Sequence, residues 1–539
     1  MKKKVLLSSL LVCICVFTGY ADKTLYIDPV DGSDLKNGSS WENAIRSINL
    51  IPNMLDAEGV TTVELKENSL FENVDNIDFG SVNINLVING NNATIKGKTS
   101  EKRMFRVAGP ESILKFNNIT FRDKTTENYN MGAVIIFVGK EITVENCQFI
   151  NNASQCGGSA LGCRAEQVTV RNSYFKDNKT TLNDYVEGAA ILQGGRRGVL
   201  SYLLVENCTF DNNTVLKGDG SAIGFYDRSG NGQANVGDLC EVKIFNCAFF
   251  ENKAVQPTSG NVGAAVHFDY NMQYYGNKVP IDGVLVNNTF YGSAPAVSIE
   301  NQNKVLFINN VAFSYDDSST SAPLLKTDFN TNGQTTRAYN NVLIALKMPA
   351  SSREPDFVTG NQGNLISQSL SDFANLGMDD YLTKASSDAP FFVPYIAINN
   401  EASPLIDAGL ERGEVFFFGE EVVPETDIRG QARADAEAES GTKPDVGAYE
   451  WGNGTIKAGL ANVSAPDELF MLYQSKDEVF VISKANRPLS LQVVQLDGRV
   501  ITRSTLNGSL TLKRNEISAG VKIFVVSDGQ KTVARKVLL

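Results

Sequence analysis

An apolar stretch ending in Asn-x-x-Phe returns again and again between residues 118 and 313. The pairs are Asn118/Phe121, Asn146/Phe149, Asn172/Phe175, Asn207/Phe210, Asn246/Phe249, Asn287/Phe290 and Asn310/Phe313, with Asn341/Ile344 as a degenerate copy. Successive asparagines lie 28, 26, 35, 39, 41, 23 and 31 positions apart. A fixed motif on a variable period is a structural repeat carrying loop insertions. A second motif alternates with it, Gly-x-Ala followed by an aliphatic residue: Gly158/Leu161, Gly188/Ile191, Gly220/Ile223 and Gly263/Val266. Gly132/Ile135 and Ala294/Val297 are looser versions.

Each repeat then holds a Gly-x-Ala strand, an apolar strand ending in Asn, and a short Phe strand. A helical bundle is excluded, because the apolar period is two and Gly or Asn interrupts each run. Stacked three-strand turns predict an all-β chain built on a right-handed parallel β-helix, a pectate-lyase-like solenoid. Such a body grows past the usual single-core limit because each coil packs only on its neighbours, which suits 539 residues. The corner asparagines are expected to point inward and form an amide ladder.

The two motifs together resemble the repeats of polymorphic outer-membrane proteins, a family of surface adhesins. Phe149/Asn152, Phe175/Asn178, Phe210/Asn213 and Phe249/Asn252 fit that family's Phe-x-x-Asn element, and Ser or Ala replaces the second Gly of its other element. The resemblance spans roughly residues 115–300 and implies architecture more than activity.

The N-terminus reads as a secretory signal over residues 1–21: Lys2, Lys3 and Lys4, an apolar stretch, then Gly19 and Ala21 at the cleavage site. Cys13 and Cys15 offer a lipidation alternative, against which Val12 stands. Residues 22–450 are assigned to the β-helix with its caps. Trp41, Ile45, Ile48, Ile51 and Leu55 fall on one face of a helix expected to lid the first coil. Asp31 and Asp34 suit capping turns, with calcium as the alternative. Ser403 to Gly409, Thr426 to Gly430 with Arg433, and Pro444 to Glu450 resemble the ending of β-helix proteins of the choice-of-anchor Q type. Asp407, Asp427, Arg429, Arg433, Asp445 and Glu450 there are read as a salt-bridged closing coil rather than a catalytic set. Residues 451–465 read as a linker. Residues 466–539 alternate and turn at Asp497-Gly498 and Asp528-Gly529, predicting a small Ig-like antiparallel β-sandwich. Its ending resembles the sorting domain of type IX secretion, which implies the bacterial outer-membrane secretion machinery as a partner and the cell surface as destination.

Loss of residues 1–21 moves the formal charge from −12 to −15, a balance that repels nucleic acid and anionic lipid. No later segment reads as a transmembrane span. Six cysteines remain, without zinc-site spacing, and Cys208 and Cys247 share one motif position, as stacked thiols or a disulfide.

Counting from each Gly, positions +2, +4 and +6 are expected to face out. This gives a smooth stripe of Ala160, Ala190, Ala222, Ala265 and Ala296, and brings Tyr226, His267, Asp269 and Glu300 together on three successive coils. His267 is the chain's single histidine and has the proton affinity of an acid–base group. Asp269 and Glu300 would orient it, or hold Ca²⁺; no other cofactor is indicated. Arg164, Arg196 and Arg197 are candidate binders of an acidic sugar. The expected function is a non-catalytic adhesin or glycan-binding protein, with extracellular polysaccharide or a host surface glycan or protein as partner. The alternative is a polysaccharide lyase or glycoside hydrolase centred on His267, Asp269, Glu300 and Tyr226, and a purely structural envelope role comes third.

Overall fold

The computed structural model describes residues 22–55, 59–127, 131–195, 199–226, 240–256, 263–269, 281–292, 296–300 and 304–314, shorter stretches between 325 and 451, and most of 470–538. One coil shows the plan. Strand Ile135–Glu145 is followed by Gln148–Ile150, then Ala153–Ser154, and the next coil opens with Leu161–Arg171. Every strand pairs in parallel with its counterpart one coil on: Ile135 with Leu161, Phe149 with Phe175, Ala153 with Lys179. The stack begins with Lys23–Ile27 on Thr61–Leu65 and continues to Val342–Ala345 on Leu365–Ser367. The chain is a parallel β-helix, as its repeats require.

Each coil turns at left-handed residues. The Asn-x-x-Phe asparagines occupy one such corner, with φ of 54° at Asn146, 48° at Asn172 and 53° at Asn207. Asn tolerates this conformation because its short side chain bonds locally. Of the predicted asparagines only Asn310 and Asn341 join an inward ladder, and the first ladder is built by other residues. It is built three residues past each Phe, by Asn152, Asn178, Asn213 and Asn252, all buried. Each amide donates to the next Asn Oδ1, at 3.0, 2.9 and 2.9 Å, and to the carbonyl of a Phe one coil back. A second ladder, Asn288 to Asn310 to Asn341, runs at 2.9 and 3.0 Å in the later coils. There the left-handed corner is Asn309 and Asn340, one residue before the predicted Asn310 and Asn341. The slip matters because the strand period is two. Ala312, not Phe313, continues the inward Phe column.

That column is a stack of rings. Phe121, Phe149, Phe175, Phe210, Phe249 and Phe290 sit 4.5–5.0 Å apart, nearly parallel from Phe149 onward. Coil spacing imposes this geometry, and each fully buried Phe contributes about 1.5–3 kcal/mol by area alone. At the N-terminal end Lys124 takes the ladder position. Its Nζ crosses Gly97 to reach Asp75 Oδ1 at 2.9 Å, the Lys98 carbonyl at 2.8 Å and Ser100 Oγ at 2.9 Å. Three acceptors satisfy the buried ammonium.

The outer columns beside the asparagine corner change character partway along. On one side Glu145, Arg171 and Glu206 give way to Phe245, Val286 and Ile308; on the other Arg122, Ile150, Lys176 and Asp211 give way to Phe250, Tyr291 and Phe313. The apolar half is covered by the described parts of residues 403–450. Leu405, Ile428, Val446 and Tyr449 pack with Phe250, Val311 and Phe313, while Val422 and Val423 pack with Val284, Val286, Leu306 and Ile308. This segment is therefore a lateral strap along the solenoid's flank. It is not the closing coil expected over the open end, and the apolar outer columns are what draw it there.

The strap is read by the corner itself. Asn246 donates to the Thr426 carbonyl at 2.6 Å, Asn287 to Asp445 O at 3.0 Å, and Asn340 to Ala408 O at 2.6 Å. Asn309 Oδ1 accepts the Leu410 N–H at 2.7 Å.

At the other end no continuous helix spans 41–55. Ile45 bridges Ile27 as part of a coil, Trp41 is 39% exposed, and only Ile48–Asn53 forms a 3₁₀ helix, with Pro52 inside it. Asp34 Oδ1 caps the Arg46 and Ser47 N–H groups at 3.0 and 2.7 Å, the turn-capping role. Beyond residue 470, Phe470–Gln474, Glu478–Ser483 and Ser509–Lys513 form one antiparallel sheet. Leu489–Gln495, Val500–Leu506, Val521–Ser527 and Thr532–Leu538 form another, and both share a core of Val481, Leu491, Leu506 and Phe524, making a sandwich. The linker at 451–465 lies outside the described residues, except for Trp451. No helix of the described residues is long and apolar enough to cross a membrane.

Candidate functional site

The Gly-x-Ala face differs from its prediction at the first step. Strands start at Leu161, Ile191 and Ile223, immediately after the Ala. The alternation that turns Leu161 inward and Gly162 outward does not extend back through the turn. Ala160, Ala190, Ala222, Ala265 and Ala296 consequently belong to the core and form no outward stripe.

The +4 column points outward yet is covered. The Gly corners, left-handed at Gly158, Gly188 and Gly220, fold back over it. A Cβ added to Gly224 would meet the Gly188 nitrogen at 2.7 Å, so the backbone approaches here as only Gly permits. Leu192 in this column joins Met131 and Ile136 in a small apolar cluster.

His267 stands in the same column beside Gly224 and Ser298. It is 0% exposed. Its Nε2 lies 3.1 Å from the Tyr185 hydroxyl and 3.9 Å from Glu187 Oε1, both carried by the segment leading into Gly188. Gly224, having no side chain, leaves the notch through which Tyr185 reaches His267 across two coils. Tyr185 itself is 40% exposed and lies over the imidazole. A general base has to touch its substrate, and this imidazole faces its own chain.

Register puts Tyr226 opposite Asp269 and Glu300 opposite Asp328, on neighbouring coils of one column. The side chains of Tyr226, Asp269 and Glu300 lie outside the described residues, as do Arg196 and Arg197 entirely. Arg164 is half-buried, on the coil two before Tyr226. Sequence reading missed Tyr185 and Glu187 because it counted forward from each Gly; they precede theirs, on a coil two away from His267.

The acid–base residues of the strap do meet. Arg433 Nη1 bonds Glu450 Oε2 at 2.7 Å, and its Nη2 bonds Asn246 Oδ1 at 2.9 Å and the Gly447 carbonyl at 3.0 Å. Asp427 accepts the Glu450 N–H at 3.1 Å, and Asp445 accepts the Asp407 N–H at 2.8 Å. Burial raises the Asp445 carboxyl to about 6 and that of Glu450 to about 8, against the pull of Arg433. The partners described here belong to strap and solenoid, and the Arg433–Asn246 bond joins the two. Arg429 lies outside the described residues.

Among the described residues nothing covers one broad sheet face, over the second halves of the long strands. Its central columns run Lys115, Thr143, Thr169, Leu204, Lys243 and Asn117, Glu145, Arg171, Glu206. Lys115 Nζ meets Glu145 Oε2 at 2.6 Å, and Arg171 bridges Glu145 at 3.9 Å and Glu206 at 2.9 Å. Tyr202, 36% exposed, stands on the outer column between Gln167 and Glu241. This face can offer fixed donors, fixed acceptors and one aromatic surface at coil spacing.

Cys208 and Cys247 are buried free thiols, each bonded to a carbonyl two residues back at 3.2 Å. Among the described residues no group of three or more His, Cys, Asp or Glu side chains is placed to hold a metal ion. Compared with known proteins, the chain matches no family model and no curated protein.

Proposed function

We propose that this protein is a non-catalytic adhesin or glycan-binding solenoid displayed on a bacterial surface, exported through the type IX machinery that its C-terminal sandwich resembles. The observation that carries this reading is the open, ion-paired sheet face with exposed Tyr202, set against a histidine closed off behind Tyr185. Preorganised hydrogen-bonding groups on a rigid sheet lose little entropy when a sugar chain settles on them. The Gly-x-Ala face, covered by its own corners, is a poorer surface than the sequence promised.

A lyase or hydrolase is the competing class, and the Tyr185–His267 contact is what favours it: an exposed phenol backed by an imidazole can exchange a proton. The test is to pass neutral and acidic polysaccharides over the immobilised full chain, with and without Ca²⁺, and to follow both retention and chain length. Retention at constant chain length supports the binding reading. Shortened chains whose formation stops in His267→Ala place the protein among the enzymes.

A further inference from the structure

We infer that the half of the asparagine corner that the strap does not occupy is a docking rail for a neutral, hydroxyl-rich glycan chain running along the solenoid axis, a site that rests on the glycan-binding reading and specifies it. The corner is one continuous feature. From Asn118 through Asn146, Asn172 and Asn207 to Asn246, Asn287, Asn309 and Asn340, every coil turns on a left-handed Asn in the same place. The second half already binds backbone carbonyls: three separate pieces of the strap, at Thr426, at Asp445 and Gly447, and at Ala408 and Leu410, are met by the side-chain amides of Asn246, Asn287, Asn309 and Asn340. Among the described residues the first half presents the same corner without the strap, with strand Val393–Ile398 lying beside its last coil at Thr209–Asp211. Among the described residues nothing bonds the side-chain amides of Asn118 or Asn172, while Asn146 turns to Asn117 at 2.9 Å.

The lining says what the first half accepts. Both columns flanking the corner switch at the same coil, Glu206 to Phe245 and Asp211 to Phe250. Where they are apolar, an apolar peptide strap covers them. Where they are ionic, such a strap would strand charges away from water, so the occupant has to be polar itself. The charges alternate and are paired, Lys115 with Glu145, Arg171 with Glu206, and Lys176 with Asp211 at 3.0 Å, which leaves no excess of cations to select a polyanion. Carboxylates accept from sugar hydroxyls, and guanidinium and amide groups donate to them. Coils repeat about every 4.8 Å, near the length of one sugar, so a chain parallel to the axis meets like groups at each unit.

The test uses the full chain immobilised, with soluble neutral β-glucan, mannan and chitin oligosaccharides and one polyuronate as probes. Two rail variants are compared: Arg171→Ala, and Asn172→Gly, which keeps the left-handed turn while removing the amide. Trp41→Ala, at the N-terminal cap, is the control, and the thermal transition of each variant checks folding. The expected result is retention of a neutral glycan that weakens about tenfold in each rail variant, the loss of one hydrogen bond to the sugar chain, and is unchanged in the control. Retention equal in wild type and rail variants overturns the rail and leaves the glycan-binding reading standing. Retention of the polyuronate alone overturns the ligand class. Retention of nothing overturns both.

Discussion

Two asparagines on neighbouring coils have opposite structural roles, and replacing each separates the roles by energy. Asn213 is buried and makes four side-chain bonds: Nδ2 to Asn252 Oδ1 and to the Phe175 carbonyl, both 2.9 Å, while Oδ1 accepts the Asn178 N–H at 3.1 Å and the Asn178 amide at 2.9 Å. Asn213→Ala removes all of them and leaves the Asn178 backbone N–H, the Asn252 oxygen and the Phe175 carbonyl buried without those partners. At a net value of about 1 kcal/mol per bond the loss is about 4 kcal/mol, and orphaned buried groups push it upward. Asn172, by contrast, only holds a left-handed turn, φ 48°, which Gly adopts freely, so Asn172→Gly costs under about 1 kcal/mol. Because coils contact only their neighbours, the damage stays local. Urea unfolding of both variants, with hydrogen exchange at the Asn178 amide, reads the difference. A loss of about 4 kcal/mol accelerates exchange there nearly a thousandfold. An Asn213→Ala protein as stable as Asn172→Gly, or an Asn178 amide still protected, would refute the ladder argument.

Further outcomes follow from the same geometry. Gly97→Ala sets a Cβ 2.7 Å from Lys124 Cβ and 2.8 Å from its Cδ, so it should cost about 1–3 kcal/mol in thermal unfolding, and a neutral result would mean Lys124 does not cross there. In the strap, Asp445 and Glu450 have folded-state pKa values raised above 3.8 and 4.5, so the folded state holds extra protons. Strap stability is therefore fullest near pH 4 and declines as pH rises through about 6 and about 8. Trp451 fluorescence in a Trp41→Phe background should show urea midpoints falling over that range, with the slope reduced in Glu450→Gln; midpoints that climb with pH would contradict it. Burial raises the Cys247 thiol far above its ordinary range and that of Cys147 to about 12, whereas Cys156 is only half-buried. Alkylation of native protein followed by peptide mapping should find Cys156 modified first, and early labelling of Cys247 would show that its coil opens.

The fold was legible because its determinants are local and repeated. Phe149, Phe175, Phe210 and Phe249 stack because each occupies the same place in its own repeat, and no long-range knowledge is needed to see that. Faces were harder. The Ala stripe failed because parity holds within a strand and not through the Gly turn before it. Two later corners slipped by one residue because Asn309-Asn310 and Asn340-Asn341 are doublets, and only the register shows which member is left-handed. The strap's place was also written in the chain, as the change from Glu206 and Asp211 to Phe245 and Phe250, but its meaning depends on knowing that these positions face outward. Tyr185 and Glu187 could not be found by pattern at all, since they meet His267 across 82 and 80 residues of sequence.

The most direct test of the binding surface is covalent footprinting of the full chain with and without a retained glycan. The account predicts that Lys115, Tyr202 and Glu206 lose reactivity when the glycan is bound, while Tyr185 keeps its own. Protection at Tyr185 with Lys115, Tyr202 and Glu206 unchanged would contradict it and move the site to the Tyr185–His267 pair.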